Sequence, residues 1–445
     1  MMRGILRQTD IKLGYSVIMV LLLQILGTGS RAQNADITEH LRSADSLALS
    51  NIREGKTAGL SMIIVKDGKV ILSKGYGFAD LENRIPASSA TIYPIASITK
   101  QFTAVSILQL AEEGRIHLED SLSHYVAGYA DRSYNITIHQ LLNHTSGVKN
   151  ITSLGSKYWG QVGNIVTKED LIKMFIDEPL DFGPGEDYSY NNSDYILLGA
   201  IIEKASGLNY GEYLKKNIFT KYGLKNTFYY PDLKDSLRSA RLYSHGKEGF
   251  QPAVYVNPTQ GYSMGGIVST TEDMARWLML LHSGEIIGSL AYKKMITPGT
   301  LSNGEKISYG YGVGVGEFAG HKLLFHAGGI FGADAQSVYF PEDKLIIVIL
   351  ANTDDADVVG LENRITKNFL NISEIPEVKL DRKSKIKFTG TYKFRSSEIK
   401  VILKSDSLYI SGLWGNDPVK IRYIGDETFK ATEQIEEVKF ILNEG

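Results

Sequence analysis

Apolar residues recur at near-helical intervals once the chain passes its first few dozen residues. Ile37, Leu41, Leu47 and Ile52 predict a helix over 37–52. Two strand-like runs follow, 60–65 and 70–76, joined by Lys66-Asp67-Gly68-Lys69, where Asp-Gly suits a tight hairpin turn. From Ser97 the pattern turns helical, with Phe102, Val105, Ile107, Leu108 and Leu110 apolar and Gly114 placed to end the helix. The middle, about 120–290, reads as mainly helical with Gly- and Tyr-rich loops. Strands return at 310–315, 337–340 and 345–350, the last two flanking Pro341-Glu342-Asp343-Lys344. An antiparallel sheet built from both chain ends, with helices around it, fits this order better than alternating βαβ units.

The pattern changes again near 372–385, where Ile375-Pro376-Glu377 and Asp381-Arg382-Lys383-Ser384-Lys385 read as a solvated linker. Beyond it Ile399, Val401 and Leu403, then Leu408 and Ile410, alternate with polar residues, so a small all-β appendage is expected. A strand pattern at 438–442 runs into Asn443-Glu444-Gly445 with no returning strand, compatible with an appendage cut short.

At the other end, Arg3, Arg7 and Lys12 precede an apolar run over 15–26 broken only by Ser16 and Gln24, and Ser30-Arg31-Ala32 follows. This is the pattern of a signal peptide cleaved after Ala32. The run is shorter than the roughly 20 residues that cross a bilayer. The expected organisation is therefore 1–32 leader, 33–375 main domain, and 376–445 linker with a β-rich C-terminal domain. Export is expected, to the periplasm first and the medium second.

Charge and composition narrow the function classes. The formal net charge is −2, and the leader carries four basic residues against Asp10, so the mature chain stands near −5. Such a chain has no electrostatic reason to bind nucleic acid. The absence of Cys excludes disulfides, thiol chemistry, Cys-zinc sites and a thioether-linked lipid anchor. The nine His show no His-Glu-x-x-His pattern and no ligand spacing, so neither metal nor cofactor is expected.

Three segments carry chemistry. Ser97-Ile98-Thr99-Lys100 is one of five Ser-x-x-Lys matches, the others starting at Ser146, Ser244, Ser384 and Ser397. Its context distinguishes it: Ser97 opens an apolar helix, where residues three apart share a face. A Ser hydroxyl needs a base to become a nucleophile, and a desolvated Lys can supply one. Tyr190-Asn191-Asn192 lies in a Pro-Gly- and Asn-rich loop, where Tyr190 can relay a proton and Asn192 can bond a substrate amide. His326-Ala327-Gly328-Gly329 follows an apolar run, and its small residues would let a substrate backbone approach a strand edge. Each also has a plainer reading taken alone: a helix cap and surface charge, ordinary loop residues, a structural His.

Their order decides between these readings. Ser-x-x-Lys, Tyr-x-Asn and His-x-Gly follow one another, and the segments between them agree. Residues 137–147 fit a Thr-x-x-x-Leu-Leu-x-His-Thr-Ser-Gly signature, and 265–273 fit Gly-Gly-x-x-Ser-Thr-x-x-Asp. Through these motifs the chain resembles the serine β-lactamase and penicillin-binding protein superfamily, on its class C branch, over about residues 40–360. The resemblance implies an α+β fold, an antiparallel β-sheet flanked by helices with a mainly helical insert. It implies Ser97 as acylated nucleophile, with Lys100 and Tyr190 jointly as its proton partners. Asn192, His326 and Gly328 would contact substrate, and the Ser97 and Gly329 N–H groups would form the oxyanion hole. Losing one such donor costs about 2.7–4 kcal/mol of transition-state stabilisation. His144 would hold a loop.

Two departures from the superfamily's pattern bear on substrate. His-Ala-Gly stands where Lys-Thr-Gly is usual, and neutral His offers no fixed charge to a substrate carboxylate. Asn191 stands where Ser or Ala is usual. The expected reaction is hydrolysis of an ester, amide or D-amino-acid peptide bond on a small-molecule or peptidoglycan-derived substrate. A class C-type β-lactamase or D-alanyl-D-alanine carboxypeptidase is one alternative, and a non-catalytic receptor for penicillin or cell-wall peptides is another.

Overall fold

The computed structural model describes residues 37–129, 135–233, 238–373, 378–394, 397–412, 418–425, 427–431 and 437–439. The expected leader and the closing turn at 443–445 lie outside them. A helix, α1, spans 37–53. It leads into β1 (Gly59–Lys66) and β2 (Lys69–Asp80), paired as a hairpin. At its turn Asp67 and Gly68 both take left-handed φ, +51° and +73°, as a tight hairpin turn requires.

The main sheet has seven strands, with Ile85–Pro86 as the short edge strand β3. The others are β4 (Gly314–Phe318), β5 (His321–Ile330), β6 (Ala333–Phe340) and β7 (Leu345–Ala351). Their order is β3-β2-β1-β7-β6-β5-β4, antiparallel throughout. Pairing of β1 with β7, from Leu60↔Ala351 to Lys66↔Leu345, joins the two ends of the domain. Both strands are apolar on both faces because both faces are covered. Ile63, Val65, Val348 and Leu350 face the helical block, whereas Met62, Ile64, Ile347 and Ile349 lie in a second core with Ala44 and Ala48 of α1. Leu361 and Ile365 of the helix Val358–Phe369 join that second core.

Helix α2 (Thr99–Glu112) is buried over 99–110 and so has no solvent-facing polar side there; polar residues in that span find partners inside, as Thr103 does on the Ser263 carbonyl and Ser106 on that of Phe102. Phe102 stacks on Trp277 at 3.9 Å between ring centroids. Gly114, φ +70°, follows the helix end as expected. Helix α3 (Asn192–Ser206) packs beside α2; the Asn191 side chain caps it by accepting the Ser193 N–H.

Two sequence expectations are corrected. The strand read at 310–315 begins only at Gly314, because Gly310–Val313 forms a turn whose Gly312, φ +68°, packs on the Lys100 carbonyl. The helix read from Ser97 begins at Thr99, after a 3-10 turn.

The described residues of the C-terminal region form an antiparallel meander of six strands taken in chain order. It has its own small core, which includes Phe388, Val401, Ile410, Ile421 and Phe429. The alternation read there is realised as strands Ser397–Lys404 and Ser407–Ser411, with Val401 opposite Ile410. Part of the stretch read as linker is a short helix, Arg382–Ile386, capped by Asp381.

Candidate active site

Across residues 91–100 only Ser97 escapes burial. It sits in the 3-10 turn Ala96–Ile98, which Ala96 enters with φ +43°. An L-residue held there stores on the order of 1–3 kcal/mol of strain. Thr99 then starts α2, so Ser97 is not the helix cap, yet the three-residue spacing still sets Lys100 next to it.

Lys100 is fully buried. Its Nζ lies 3.1 Å from Ser97 Oγ, 2.8 Å from Asn192 Oδ1 and 2.9 Å from the Met264 carbonyl oxygen. Asn192 Oδ1 and the carbonyl only accept, so they take two N–H bonds of the amine. A neutral amine then keeps its lone pair for the Ser97 hydroxyl. Burial pushes the Lys100 pKa well below the usual lysine range, and an ionised Asp194 would oppose this in part. The Tyr190 and Tyr195 rings, 4.8 and 5.5 Å from Nζ, also favour the ammonium. Contacts of that kind contribute about 0.5–2 kcal/mol, less than the several kcal/mol that an ion pays on leaving water. On balance burial favours the unprotonated amine.

Tyr190 has the opposite balance. Burial pushes its phenol up, with proximity to Ser97 the one influence that lowers it. Its hydroxyl makes no hydrogen bond within the protein. A phenol that burial holds protonated beside Ser97 can pass a proton.

The third segment lies on β5. Strand β4 pairs only with His321–Phe325, so the half from His326 onward has β6 on one side and an open edge on the other. A Cβ on Gly328 would come within 2.3 Å of the Ile95 carbonyl oxygen and 3.1 Å of Ser97 N, so only glycine lets this strand approach the nucleophile turn. Gly329 faces open space and lines the same cavity as Ser97.

His326 is buried, and both of its ring nitrogens are occupied. Nδ1–H donates to the Ala327 carbonyl at 2.6 Å, and the Tyr309 hydroxyl donates to Nε2 at 2.8 Å. Burial, then the nearby Lys100, pushes its pKa down to about 3, so the ring is neutral. In this arrangement His326 offers a substrate neither a charge nor a free polar atom, in contrast to the direct contact expected from its sequence position.

The cavity beside Ser97 measures about 190 Å³. No charged side chain lines it; Tyr158, Trp159, Met264, Ile330 and Phe331 supply apolar walls, and Thr152 and Asn192 polar ones. Trp159 meets Phe331 edge-on at 5.6 Å. The Asn192 amide donates only a long bond, 3.4 Å, to Thr152 Oγ1, which leaves it available to a substrate carbonyl. Among the described residues no cluster of three or more His, Asp or Glu could hold a metal. No described helix is long and apolar enough to cross a membrane.

This geometry is a set of parts for acyl transfer: a strained nucleophile turn, a buried amine and an open strand edge. The Beta-lactamase family profile matches residues 37–368, three quarters of the chain. The chain belongs to the Beta-lactamase family. It is a serine hydrolase of the β-lactamase and penicillin-binding protein fold. Penicillin-binding protein 4* of Bacillus subtilis (strain 168) is 27% identical over 354 residues, covering 75% of this chain and 77% of that protein. The structure of the octameric penicillin-binding protein homologue from Pyrococcus abyssi superposes with a TM-score of 0.69 at 28% identity, over 88% of this chain and 93% of that one. D-amino acid amidase from Ochrobactrum anthropi SV3, complexed with D-phenylalanine, shares the fold at TM-score 0.66 and 20% identity, over 75% and 100% of the chains.

Four features of this family member's site escaped the sequence. The Ala96 turn and the Met264 carbonyl are backbone features with no residue signature. Tyr309 fixes the His326 tautomer from a loop with no motif. Asp194 sits inside the Tyr-rich stretch around Tyr190, and its position four residues beyond Tyr190 was the one available signal.

Proposed function

We propose that this member of the family is an exported hydrolase that cleaves uncharged ester, amide or D-amino-acid peptide groups through an acyl-enzyme on Ser97. The observation that carries this is the pairing of Ser97 with a buried amine, whose ionisation burial opposes, at the mouth of a cavity whose described lining has no charged side chain. In the mechanism, Lys100 Nζ takes the Ser97 proton as Oγ attacks the carbonyl carbon. The oxyanion faces the Ser97 and Gly329 N–H groups. Tyr190 relays the proton to the leaving group, and water repeats the sequence in reverse to release the acid. The amidase likeness is one of fold, and it agrees with an amide substrate without selecting it. Export is proposed from the leader pattern over 1–32.

The test is intact-protein mass over time, on protein recovered from cells, after mixing with a penicillin or with a neutral activated ester. The ester should give a stoichiometric adduct faster than the penicillin, and an N terminus at Gln33 would support export. A penicilloyl adduct that outpaces the ester and then decays would overturn the preference in favour of a β-lactamase. No adduct from either would favour the non-catalytic receptor.

The same reasoning applies to His326. His326→Lys should raise kcat/KM for carboxylate-bearing substrates relative to neutral ones by about tenfold, or about 1.4 kcal/mol. Unchanged relative rates would mean that position 326 does not set the charge preference.

A further inference from the structure

The signature residue His144 and the unassigned Asp194 lie directly behind Lys100 and Tyr190. Both are fully buried. The Asn191 backbone N–H donates to His144 Nδ1 at 3.2 Å, so that nitrogen carries a lone pair and no proton. Asp194 Oδ2 lies 3.2 Å from the same Nδ1. A carboxylate there would set lone pair against lone pair, whereas a carboxylic acid can turn its O–H toward the ring nitrogen and share that one lone pair with the Asn191 N–H. At the other oxygen, Ser146 Oγ accepts the Val148 N–H at 3.0 Å and donates to Asp194 Oδ1 at 2.5 Å, a bond that favours the ionised carboxyl and works against burial.

We infer that Asp194 is held as a neutral carboxylic acid and, by withholding a counter-ion, keeps Lys100 a free base. The inference rests on the reading of Lys100 as the acceptor of the Ser97 proton. Asp194 is the carboxyl group that acts on Lys100, and its ionised form would draw a proton onto the amine and remove the lone pair that Ser97 needs. The other titratable groups facing this space are His144, His326, Tyr190, Tyr195 and Tyr309, and burial drives each toward its neutral form. Burial likewise pushes Asp194 well above the usual carboxylate range. The dipole of the first turn of α3 favours an anion at this position, but that effect is smaller than the penalty of ionising a carboxyl shut off from solvent. His144 Nε2 then carries the ring proton. It has no hydrogen-bond partner and sits among the Tyr190, Tyr309 and Tyr195 rings, at 4.6, 4.8 and 5.1 Å between centroids. The resting site thus carries no charge, and charge arises only when Lys100 gains the Ser97 proton and the oxyanion forms opposite it.

The experiment compares full-length wild type with Asp194→Asn, an isostere whose amide can still donate to His144 Nδ1. The first readout is the infrared C=O stretch of a protonated carboxyl in protein labelled with isotopic aspartate. That band should persist in wild type across the neutral range and be missing from the variant. Asp334, pushed up to about 7 by burial, should lose its band over the same range and serves as an internal contrast. The second readout is the pH profile of Ser97 labelling by a fluorophosphonate, whose acidic limb should stay in place in the variant whatever its absolute rate. A carboxylate band for Asp194, or an acidic limb displaced to lower pH in Asp194→Asn, would overturn the inference. The wild-type infrared titration decides the matter alone if the variant does not fold. Failure of the underlying reading looks different: Lys100→Met would then label as fast as wild type, whatever the infrared result.

Discussion

Ser97→Ala should abolish the covalent adduct and reduce turnover by on the order of 10⁶-fold, the loss typical when a serine hydrolase loses its nucleophile. The fold should be unaffected. Ser97 is the one partly exposed residue of its segment, and its hydroxyl holds up no packed side chain; it meets Lys100 Nζ at 3.1 Å. Removing that oxygen leaves Lys100 two acceptors, Asn192 Oδ1 and the Met264 carbonyl, so the amine remains anchored. The strain at Ala96 is a backbone property and should persist. Intact-protein mass and a thermal melt check both halves of the expectation. An adduct that survives in the alanine variant would place the nucleophile elsewhere. A melting temperature lowered by many degrees would mean that the hydroxyl is part of the packing, which its exposure argues against.

How far the sequence foretold this site depends on whether each part is a side-chain spacing or a backbone placement. The Ser97–Lys100 pair was legible because a three-residue spacing survives the change from α-helix to 3-10 turn that displaced the helix start. The hairpin 60–76 was legible because Asp67-Gly68 accepts left-handed φ at both positions. The apolar runs of β1 and β7 were read as strands beside their turns, but their burial on both faces depends on α1 and Val358–Phe369, which come from opposite ends of the domain. The run 310–315 misled because alternating Gly with larger residues mimics a strand. Gly310 and Gly312 are there instead for close approach to the Met295 and Lys100 carbonyls.

The electrostatics were the least legible part. His326 suggested a polar contact with substrate, yet its charge is settled by Tyr309 and by burial, neither of which a linear pattern contains. Two features of the site point one way all the same. A neutral His in place of a fixed cation, and a cavity without charged walls, leave no described group to reward a substrate carboxylate. Specificity here is then expected to come from fit against Trp159 and Phe331 and from the Asn192 amide, rather than from ion pairing.

The burial that activates Lys100 must also act on folding, and this gives the second large effect. Lys100→Met should slow acylation of Ser97 by about 10²–10⁴-fold, the range ascribed to a positioned general base. It should also remove the acidic limb of the pH profile. Its effect on stability has a definite sign. In the unfolded chain Lys100 titrates near 10.4 (roughly the free value), while in the folded protein burial lowers its pKa well below that. Between the two values the unfolded state binds one more proton than the folded state, so stability rises with pH and is reduced as pH falls. Methionine binds no proton in either state. Relative to Lys100→Met, the wild-type domain should therefore gain up to about 1.4 kcal/mol per pH unit above neutrality. Lost bonds to Asn192 Oδ1 and the Met264 carbonyl shift the variant's absolute stability but carry no proton, so they leave the slope alone. Urea unfolding of the domain at several pH values measures it. Parallel pH dependences in the two proteins would mean that Lys100 is charged at rest, and the free-base mechanism would fall with it.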